Sequence, residues 1–368
     1  MARIVIVGMG DNSGGVETYL MNFMEAMVQD NDLTFVNIVP ERALAHTGEI
    51  HAAGAHVFAT SGEYSLTSYF GRVRQARKIL QHLRADVVYI NALTTNFAYW
   101  VRAAEQLHIR SVFHSHNDMA VYGSRIKKLI ATICKPFDQR VLKGTVQLAA
   151  SLPAARFMFG KTQHATMIYN AIAPERWAFR AATRTQTRAM LGISATAPVV
   201  IVVARMHRQK NYPKIINIFA EMCRQCPEAR LIVVGDGEDR ETVRAQIETL
   251  HLTTQTLVLG QRRDVPVLMW ASDVLLLPSI YEGLPFSVVE AQGAGLPVLA
   301  SRGVVPEVAN VTGDVHWQSL TQSDQVWAKQ LLALATTPID RLEANQIVAG
   351  SRFAFGQYQH QIRKIFTF

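Results

Sequence analysis

The stretch that decides the fold is residues 273–301, which read D-V-L-L-L-P-S-I-Y-E-G-L-P-F-S-V-V-E-A-Q-G-A-G-L-P-V-L-A-S. Its first apolar run, 274–277, predicts a parallel strand that is buried on both faces. A helix is expected next, because Gly283 and Pro285 occupy positions typical of a helix start. A second apolar run, 298–300, predicts another strand. This order is typical of an α/β sheet, which binds ligands at the carboxyl ends of its strands.

Two glutamates mark the loop and helix of this unit. Glu282 lies in the loop that leaves the strand, and Glu290 lies two helical turns further on. The start of a helix favours phosphate as a ligand, and a carboxylate beside a phosphate is repelled. The pair is therefore explained best if both acids accept hydrogen bonds from hydroxyls that flank a diphosphate. The alternative is a solvated loop acid and a surface helix acid, and the pair alone does not decide between the two.

The frame around these acids resembles the signature of family 4 glycosyltransferases, which are retaining enzymes of the GT-B fold. The resemblance rests on Y-E-G-L-P-F-S-V-V-E-A-Q-G-A-G-L-P-V-L-A-S, residues 281–301. It implies an α/β chain of two Rossmann-like, doubly wound domains that face each other across a cleft, with a C-terminal helix that crosses back to the first domain. It places Glu282 at the donor sugar and Glu290 at the ribose. The helix start that binds the donor diphosphate would then comprise Gly283, Leu284, Pro285 and Phe286.

The domain organisation follows from the resemblance and from alternating strand and helix patterns in both halves. Y-N-A-I-A-P-E-R-W, residues 169–177, resembles the hinge of the family, with Ala171 where glycine is usual. The expected parts are an acceptor-binding domain at 1–171, a hinge at 172–184, a nucleotide-sugar domain at 185–350 and the crossover helix at 351–368.

Composition bounds the class of protein. With 368 residues, 49% of them hydrophobic, the chain can bury two cores. It holds no run of eighteen apolar residues and opens directly on a strand pattern, which predicts a cytosolic protein. Three cysteines do not form a disulfide framework. Cys223 and Cys226 make one C-x-x-C without a second pair, so a structural role is expected for both.

The net charge of +8 is concentrated in two predicted helices of the first half. No nucleic-acid motif accompanies them, so an anionic membrane surface is the favoured partner, and the alternative is that the cations are merely solvated. Only Asp138 opposes the cations of the second helix. The first helix carries Arg72, Arg74, Arg77, Lys78 and Arg84, and the second carries Arg125, Lys127, Lys128, Lys135, Arg140 and Lys143, with Tyr122 and Phe137 interleaved.

The first strand, 4–7, is followed by G-M-G-D-N-S-G-G. The dinucleotide fingerprint fails at Ser13, and no acid ends the second strand, so a nicotinamide enzyme is disfavoured. Gly14 and Gly15 either let the backbone approach a bound group or only form a tight turn. The resemblance implies that this loop closes over the donor diphosphate and its sugar.

A later strand ends in F-H-S-H-N-D, residues 113–118. His114 and His116 could share a face and hold a metal, but no third ligand follows nearby, and a structural histidine is the usual alternative. The resemblance assigns a donor-sugar contact to His116.

Two cations follow the first strand of the second half. Arg205 ends the strand and Lys210 stands at the next helix start, where together they would neutralise a diphosphate. The resemblance makes them stabilisers of the leaving group, although Ala204 replaces a usual glycine. It also assigns a backbone contact with the nucleobase to Arg262.

The expected function is retaining transfer of a hexose from a UDP-sugar, with GDP as second choice, to a lipid-linked saccharide in exopolysaccharide or capsule synthesis. The chain would act without a resident cofactor or metal, at the inner face of the plasma membrane. Two alternatives stay open: a GT-B nucleotide-sugar epimerase, and a nucleotide-sugar binding protein without transferase activity. A metal-dependent transferase of another fold has only D-N-D at 30–32 in its favour, where local turn chemistry explains these residues equally well.

Overall fold

The chain forms two compact units in a computed structural model that describes residues 1–11, 14–39, 41–60, 68–117 and 125–367. Unit 1 consists of Met1–Ala171 and Gly356–Phe368, and unit 2 consists of Ile172–Phe355. The segment expected to be a hinge belongs to unit 2 because Ile172 pairs with the end of that unit. Its N–H donates to the carbonyl of Phe353 and its carbonyl accepts from the N–H of Phe355, both at 2.8 Å.

The sheet of unit 1 is parallel, and its central strands are runs of β-branched residues that are buried on both faces. The strand order is β3-β2-β1-β4-β5-β6-β7. These strands are β1 (Arg3–Val7), β2 (Asp32–Asn37), β3 (His56–Ala59), β4 (Val87–Ala92), β5 (Arg110–Ser115), β6 (Val146–Ala149) and β7 (Thr166–Met167).

Helices connect these strands, as parallel pairing requires. They are α1 (Gly15–Met27), α2 (Thr47–Ala52), α3 (Tyr69–His82), α4 (Ala98–Glu105), α5 (Arg125–Val141) and α6 (Leu152–Phe159).

Unit 2 repeats the architecture with a parallel sheet in the order β10-β9-β8-β11-β12-β13. Its strands are β8 (Val199–Val203), β9 (Arg230–Val234), β10 (Thr256–Gly260), β11 (Val274–Leu277), β12 (Val298–Ser301) and β13 (Val315–Gln318). Its helices are α7 (Pro174–Trp177), α8 (Ala181–Met190), α9 (Tyr212–Gln225), α10 (Arg240–Thr249), α11 (Val265–Ala271), α12 (Phe286–Gly293), α13 (Asp324–Thr336) and α14 (Arg341–Ala349). The predicted strand, helix and strand around residue 286 are confirmed as β11, α12 and β12.

The last helix, α15 (Phe355–Phe366), returns to unit 1. The spacing of Phe355, Tyr358, Ile362 and Phe366 predicts one apolar face, and the last three are buried whereas Phe355 is partly exposed. Tyr358 packs edge-on against Tyr19, with ring centroids 5.7 Å apart, and Phe366 packs against Phe23 at 5.1 Å. The crossing of the C-terminal helix to the first domain is therefore confirmed.

None of the helices in the described ranges is long and apolar enough to cross a membrane. The two cysteines of the C-x-x-C motif lie at the end of α9, where burial raises the pKa of the Cys223 thiol to about 11. A thiol that stays protonated is a poor nucleophile and metal ligand, which agrees with a structural role.

Candidate functional site

Two loops at the carboxyl edge of the unit 2 sheet are held side by side. The loop after β8 and the loop after β9 exchange backbone hydrogen bonds, from the N–H of Met206 to the carbonyl of Asp236 at 3.0 Å and from the N–H of Asp239 to the carbonyl of Met206 at 3.1 Å. Gly235 has a φ of +132°, and a Cβ there would lie 2.0 Å from the carbonyl oxygen of Ala204. A side chain at 235 would separate the loops, so glycine fixes their spacing.

Lys210 and Glu282, both predicted from sequence to lie at the site, form a buried ion pair. The Lys210 Nζ donates to Glu282 Oε1 at 2.6 Å, and the two side chains are only 17% and 5% exposed. Ser279 Oγ donates to the same oxygen at 2.6 Å, and Gln209 Nε2 donates to Oε2 at 3.3 Å. The Glu282 carboxylate is thus held by donors on both oxygens, which is how a buried charge is tolerated.

Arg205, the other predicted cation, pairs with Glu238 at 3.2 Å in an exposed position. The other oxygen of Glu238 accepts from His207 Nε2 at 3.3 Å, while His207 Nδ1 accepts from the backbone N–H of Gln209 at 3.1 Å. A continuous series of contacts therefore runs from Arg205 to Glu282. Sequence reasoning missed Glu238 and His207, since neither carries a pattern of its own.

The start of α12 lies beside this cluster in sequence and has no side-chain cap, because Pro285 occupies its N-cap position. The first N–H groups of a helix have no partner within it, so they are available to an anion. Pro285 is buried, Leu284 and Phe286 are partly buried, and Gly283 is exposed. A Cβ at Gly283 would meet no atom within 4 Å, so the space beside this glycine is open.

Glu290 faces a different environment from Glu282. Burial raises the pKa of its carboxyl to about 7, from an ordinary 4.5.

Arg262 lies in the loop after β10, where its guanidinium donates two hydrogen bonds to Asp264 at 2.8 and 2.7 Å. The contact predicted for Arg262 runs through its backbone, which this pair leaves unaffected.

In unit 1, Gly14 is the N-cap of α1 and Gly15 is its first residue. The carboxylate of Glu17 accepts from the N–H of Gly10 at 3.0 Å, and a Cβ at Gly14 would lie 2.9 Å from its other oxygen. This acid lies against the loop that was predicted to close over a diphosphate, and a negative charge there favours a hydroxyl over a phosphate as the neighbour. Sequence reasoning overlooked Glu17, although an acid in the first turn is a capping signal. Ser13 lies outside the described residues.

The two histidines stand together at the end of β5, with ring centroids 4.1 Å apart. His114 is fully buried and its Nδ1 lies 2.8 Å from the hydroxyl of Tyr89, while His116 is partly exposed and its Nε2 lies 2.9 Å from Asn91 Oδ1. Burial lowers the pKa of His116 to about 3 and holds that of His114 well below its usual range. Both rings are neutral at physiological pH. Among the described residues no three His, Cys, Asp or Glu side chains are grouped to hold a metal.

Comparison with known protein families accounts for this arrangement. A family model described as "Glycosyltransferase Family 4" matches residues 13–210, which is more than half of the chain. The chain belongs to glycosyltransferase family 4. A second model, "Glycosyl transferases group 1", matches residues 183–345 of this family 4 glycosyltransferase and covers the loops that carry Arg205, Lys210 and both glutamates.

Relatives of this family 4 glycosyltransferase extend over most of its length. The putative glycosyltransferase EpsF of Bacillus subtilis (strain 168) is 29% identical over 344 residues, which cover 90% of this chain and 88% of the relative. An Escherichia coli protein named UDP-Gal:alpha-D-GlcNAc-diphosphoundecaprenol alpha-1,3-galactosyltransferase is 27% identical over 236 residues, or 61% of this chain and 59% of the relative. The crystal structure of Anabaena HepE in complex with UDP superposes with a TM-score of 0.79 at 18% identity and covers 99% of both chains, which confirms the GT-B fold.

Proposed function

We propose that this glycosyltransferase retains anomeric configuration and moves a hexose from a UDP-sugar to a lipid-linked saccharide in exopolysaccharide or capsule synthesis. The observation that carries the proposal is the buried Lys210–Glu282 pair. It is connected to the exposed Arg205 through Glu238, His207 and Gln209, and it lies next in sequence to the uncapped start of α12. The named activity of the Escherichia coli relative supports the lipid-linked acceptor and the UDP-sugar. The UDP complex of HepE also supports the base.

The diphosphate would be neutralised by Arg205, Lys210 and the N-terminus of α12. In this proposal the two cations and the helix N-terminus balance the charge of the diphosphate in place of a metal ion. Arg205 is 69% exposed, so its guanidinium is accessible to a ligand. As the sugar–phosphate bond breaks, negative charge accumulates on the phosphate. Fixed cations therefore stabilise the transition state more strongly than they stabilise the ground state.

A double-displacement route would require a carboxylate nucleophile beneath the anomeric carbon. Glu282 is poorly suited to this role, because its two oxygens accept hydrogen bonds from Lys210, Ser279 and Gln209. We therefore favour attack from the face of the departing phosphate, which takes the proton of the acceptor hydroxyl. Glu290 would accept hydrogen bonds from the ribose hydroxyls in its ionised form.

Thermal-shift screening with UDP, GDP, ADP and their sugars tests the donor, because a ligand that binds only the folded state raises Tm. The largest shift is expected for UDP and a UDP-hexose. Proton NMR of the sugar released by slow hydrolysis tests the stereochemistry, and an α-linked donor should give the α-anomer first. Conversion of a nucleotide sugar into its epimer without acceptor would favour the epimerase instead, and initial release of the β-anomer would contradict retention.

Helix α5 supports a membrane-bound acceptor. Leu129, Ile133 and Phe137 recur at every fourth position and are 61%, 60% and 73% exposed. Asp138, the acid expected to oppose the cations of this helix, is instead buried and accepts a hydrogen bond from Thr95 at 2.8 Å. The exposed face therefore combines apolar side chains with cations such as Arg140, as in helices that lie on an anionic leaflet. Tyr122 and the side chains of Arg125, Lys127 and Lys128 lie outside what the structure describes.

Sedimentation with vesicles tests this association. Binding should require anionic lipid, weaken with salt, and fall about a hundredfold when Arg125, Lys127 and Lys128 are replaced by Ser, since each cation near the surface contributes about 1 kcal/mol. Donor binding should not change. Replacement of Met190, a 77% exposed side chain of unit 2, by Ser is the matched control. Equal sedimentation with anionic and neutral lipid would favour a soluble acceptor.

A further inference from the structure

The side chain of His116 is held by a residue that no pattern in the sequence marks. Asn91, in β4, is 1% exposed, and its Oδ1 lies 2.9 Å from His116 Nε2. The backbone N–H of His116 also donates to the carbonyl of Ala92 at 3.3 Å. Gly8, directly after β1, lies against the backbone of Asn91. Its φ is +109°, and a Cβ there would lie 1.8 Å from the Asn91 carbonyl oxygen. The Asn91 backbone is thus closely confined, and among the described residues its Nδ2 has no hydrogen-bond partner, so the side chain is held through its contact with His116.

Two neutral aromatic groups also contact the ring. The Tyr19 ring stands edge-on to His116 with centroids 4.9 Å apart, and His114 lies at 4.1 Å. Tyr19 and His114 are in turn joined through the hydroxyl of Tyr89, at 2.7 and 2.8 Å. Burial raises the pKa of Tyr19 and of Tyr89, so neither tyrosine supplies an anion that would favour a charged imidazole.

A neutral imidazole carries one N–H, and its position depends on the partner of each nitrogen. We propose that Asn91 is a positioning residue that fixes the His116 proton on Nε2, so that Nδ1 can only accept a hydrogen bond and recognises a hydroxyl of the ligand. A phosphate or carboxylate oxygen has no proton to give and would find no partner there. The inference rests on the proposed function, since it takes the ligand to be a donor sugar. It assigns the hydrogen bond to His116 Nδ1 to a hydroxyl of that sugar.

The tautomer is measurable without any transfer reaction. The full chain is labelled with ¹⁵N-histidine, long-range ¹H–¹⁵N spectra are recorded between pH 6 and 8, and the His116 signals are identified by their loss in His116→Gln. The expected result is a protonated Nε2 and an unprotonated Nδ1 across this range. A proton on Nδ1, as a rotated Asn91 amide would produce, or a doubly protonated ring would overturn the inference. Because this readout is independent of activity, it can fail while the proposed function holds.

Two substitutions test the consequence for catalysis. In Asn91→Asp a carboxylate faces Nε2 and raises the His116 pKa from about 3 by as much as about 3 units. The kcat/KM relative to wild type should therefore fall by up to about tenfold as pH is lowered from 8 to 5. Asn91→Leu should lower kcat/KM by a similar factor at both pH values. Taking ratios to wild type removes the titration of Glu290. If both variants fail to fold, the wild-type spectra alone decide.

Asn37→Asp is the matched control. Asn37 is also buried near the end of a strand, where it donates to the carbonyl of Arg42 at 2.7 Å and accepts from the N–H of Val39 at 3.0 Å. The kcat/KM of Asn37→Asp relative to wild type should stay constant across the same pH range. A constant ratio for Asn91→Asp as well would refute the role assigned to Asn91.

Discussion

Glu290→Gln is expected to stabilise unit 2 and to weaken UDP binding. Burial raises the pKa of this carboxyl to about 7 in the folded protein, from an ordinary 4.5. Between these values the folded state holds a proton that the unfolded state has lost, so stability falls as pH rises. At 1.36 kcal/mol per pKa unit, the ionised carboxyl lowers the unfolding free energy by about 3 kcal/mol above pH 7, and the loss is absent below pH 4.5. This is an upper bound, because the side chain is partly exposed.

The difference between wild type and Glu290→Gln isolates this residue, because every other titrating group cancels. Between pH 5 and pH 8 the unfolding free energy of Glu290→Gln should rise by about 2.5 kcal/mol relative to that of the wild type. Urea denaturation followed by tryptophan fluorescence is a suitable assay, since unit 2 holds Trp177, Trp270, Trp317 and Trp327 whereas unit 1 holds Trp100. A difference in unfolding free energy that is the same at both pH values would refute the reasoning.

UDP affinity should rise with pH, whereas the stability of unit 2 falls as pH rises. If only the ionised carboxylate accepts the ribose hydroxyls, the Kd of the wild type should be about tenfold weaker at pH 6 than at pH 8, in addition to any change caused by UDP itself. Glu290→Gln should lack this tenfold component. Calorimetric titration of both proteins at the two pH values separates the two contributions, and parallel pH dependences would remove Glu290 from the nucleotide site.

Two further predictions concern the charged groups of unit 2. Arg205→Ala or Lys210→Ala should lower turnover about a hundredfold or more while donor binding weakens less, because the charge on the phosphate is greatest in the transition state; steady-state kinetics with UDP-sugar titration measure both, and wild-type turnover in either variant would contradict the assignment. Asp273→Asn should destabilise unit 2 by about 3–5 kcal/mol, because the carboxylate pairs with the buried Arg188 at 2.7 Å and with Arg184 at 2.6 Å. Urea denaturation checks this value, and a loss below about 1 kcal/mol would show that the arginines find other acceptors.

Much of the fold could be predicted because it depends on local patterns. Buried parallel strands are short apolar runs that end in glycine, proline or small polar residues, and 274–277 and 298–300 are too short for helices and are flanked by such residues. The spacing of Tyr358, Ile362 and Phe366 likewise indicates the buried face of α15. The boundary after residue 171 was expected from the resemblance of 169–177 to the hinge of the family. The hydrogen bonds that tie Ile172 to residues 353 and 355, nearly two hundred positions away, have no local signal in the sequence.

The site was predictable only where a motif names the residue. Lys210 and Glu282 were both predicted, but their direct contact was not, since it depends on how the loops after β8 and β11 meet. Asn91 carries no signal in the sequence because its role arises from its neighbours at the strand ends. Asp138 was interpreted as a surface charge, and only its burial against Thr95 shows that it leaves the exposed face of α5 without an acid.

The return of α15 to unit 1 affects how the chain is made. During synthesis residues 1–171 leave the ribosome first, but the surface that receives Tyr358 and Phe366 stays uncovered until nearly two hundred more residues have followed. The hydrogen bond from Arg363 to the carbonyl of Ala26 spans 337 positions, so it can form only after the whole of unit 2 has been synthesised. Unit 2, a continuous segment, can fold earlier. A chain truncated before α15 would therefore expose the apolar surface of unit 1 that receives Tyr358 and Phe366.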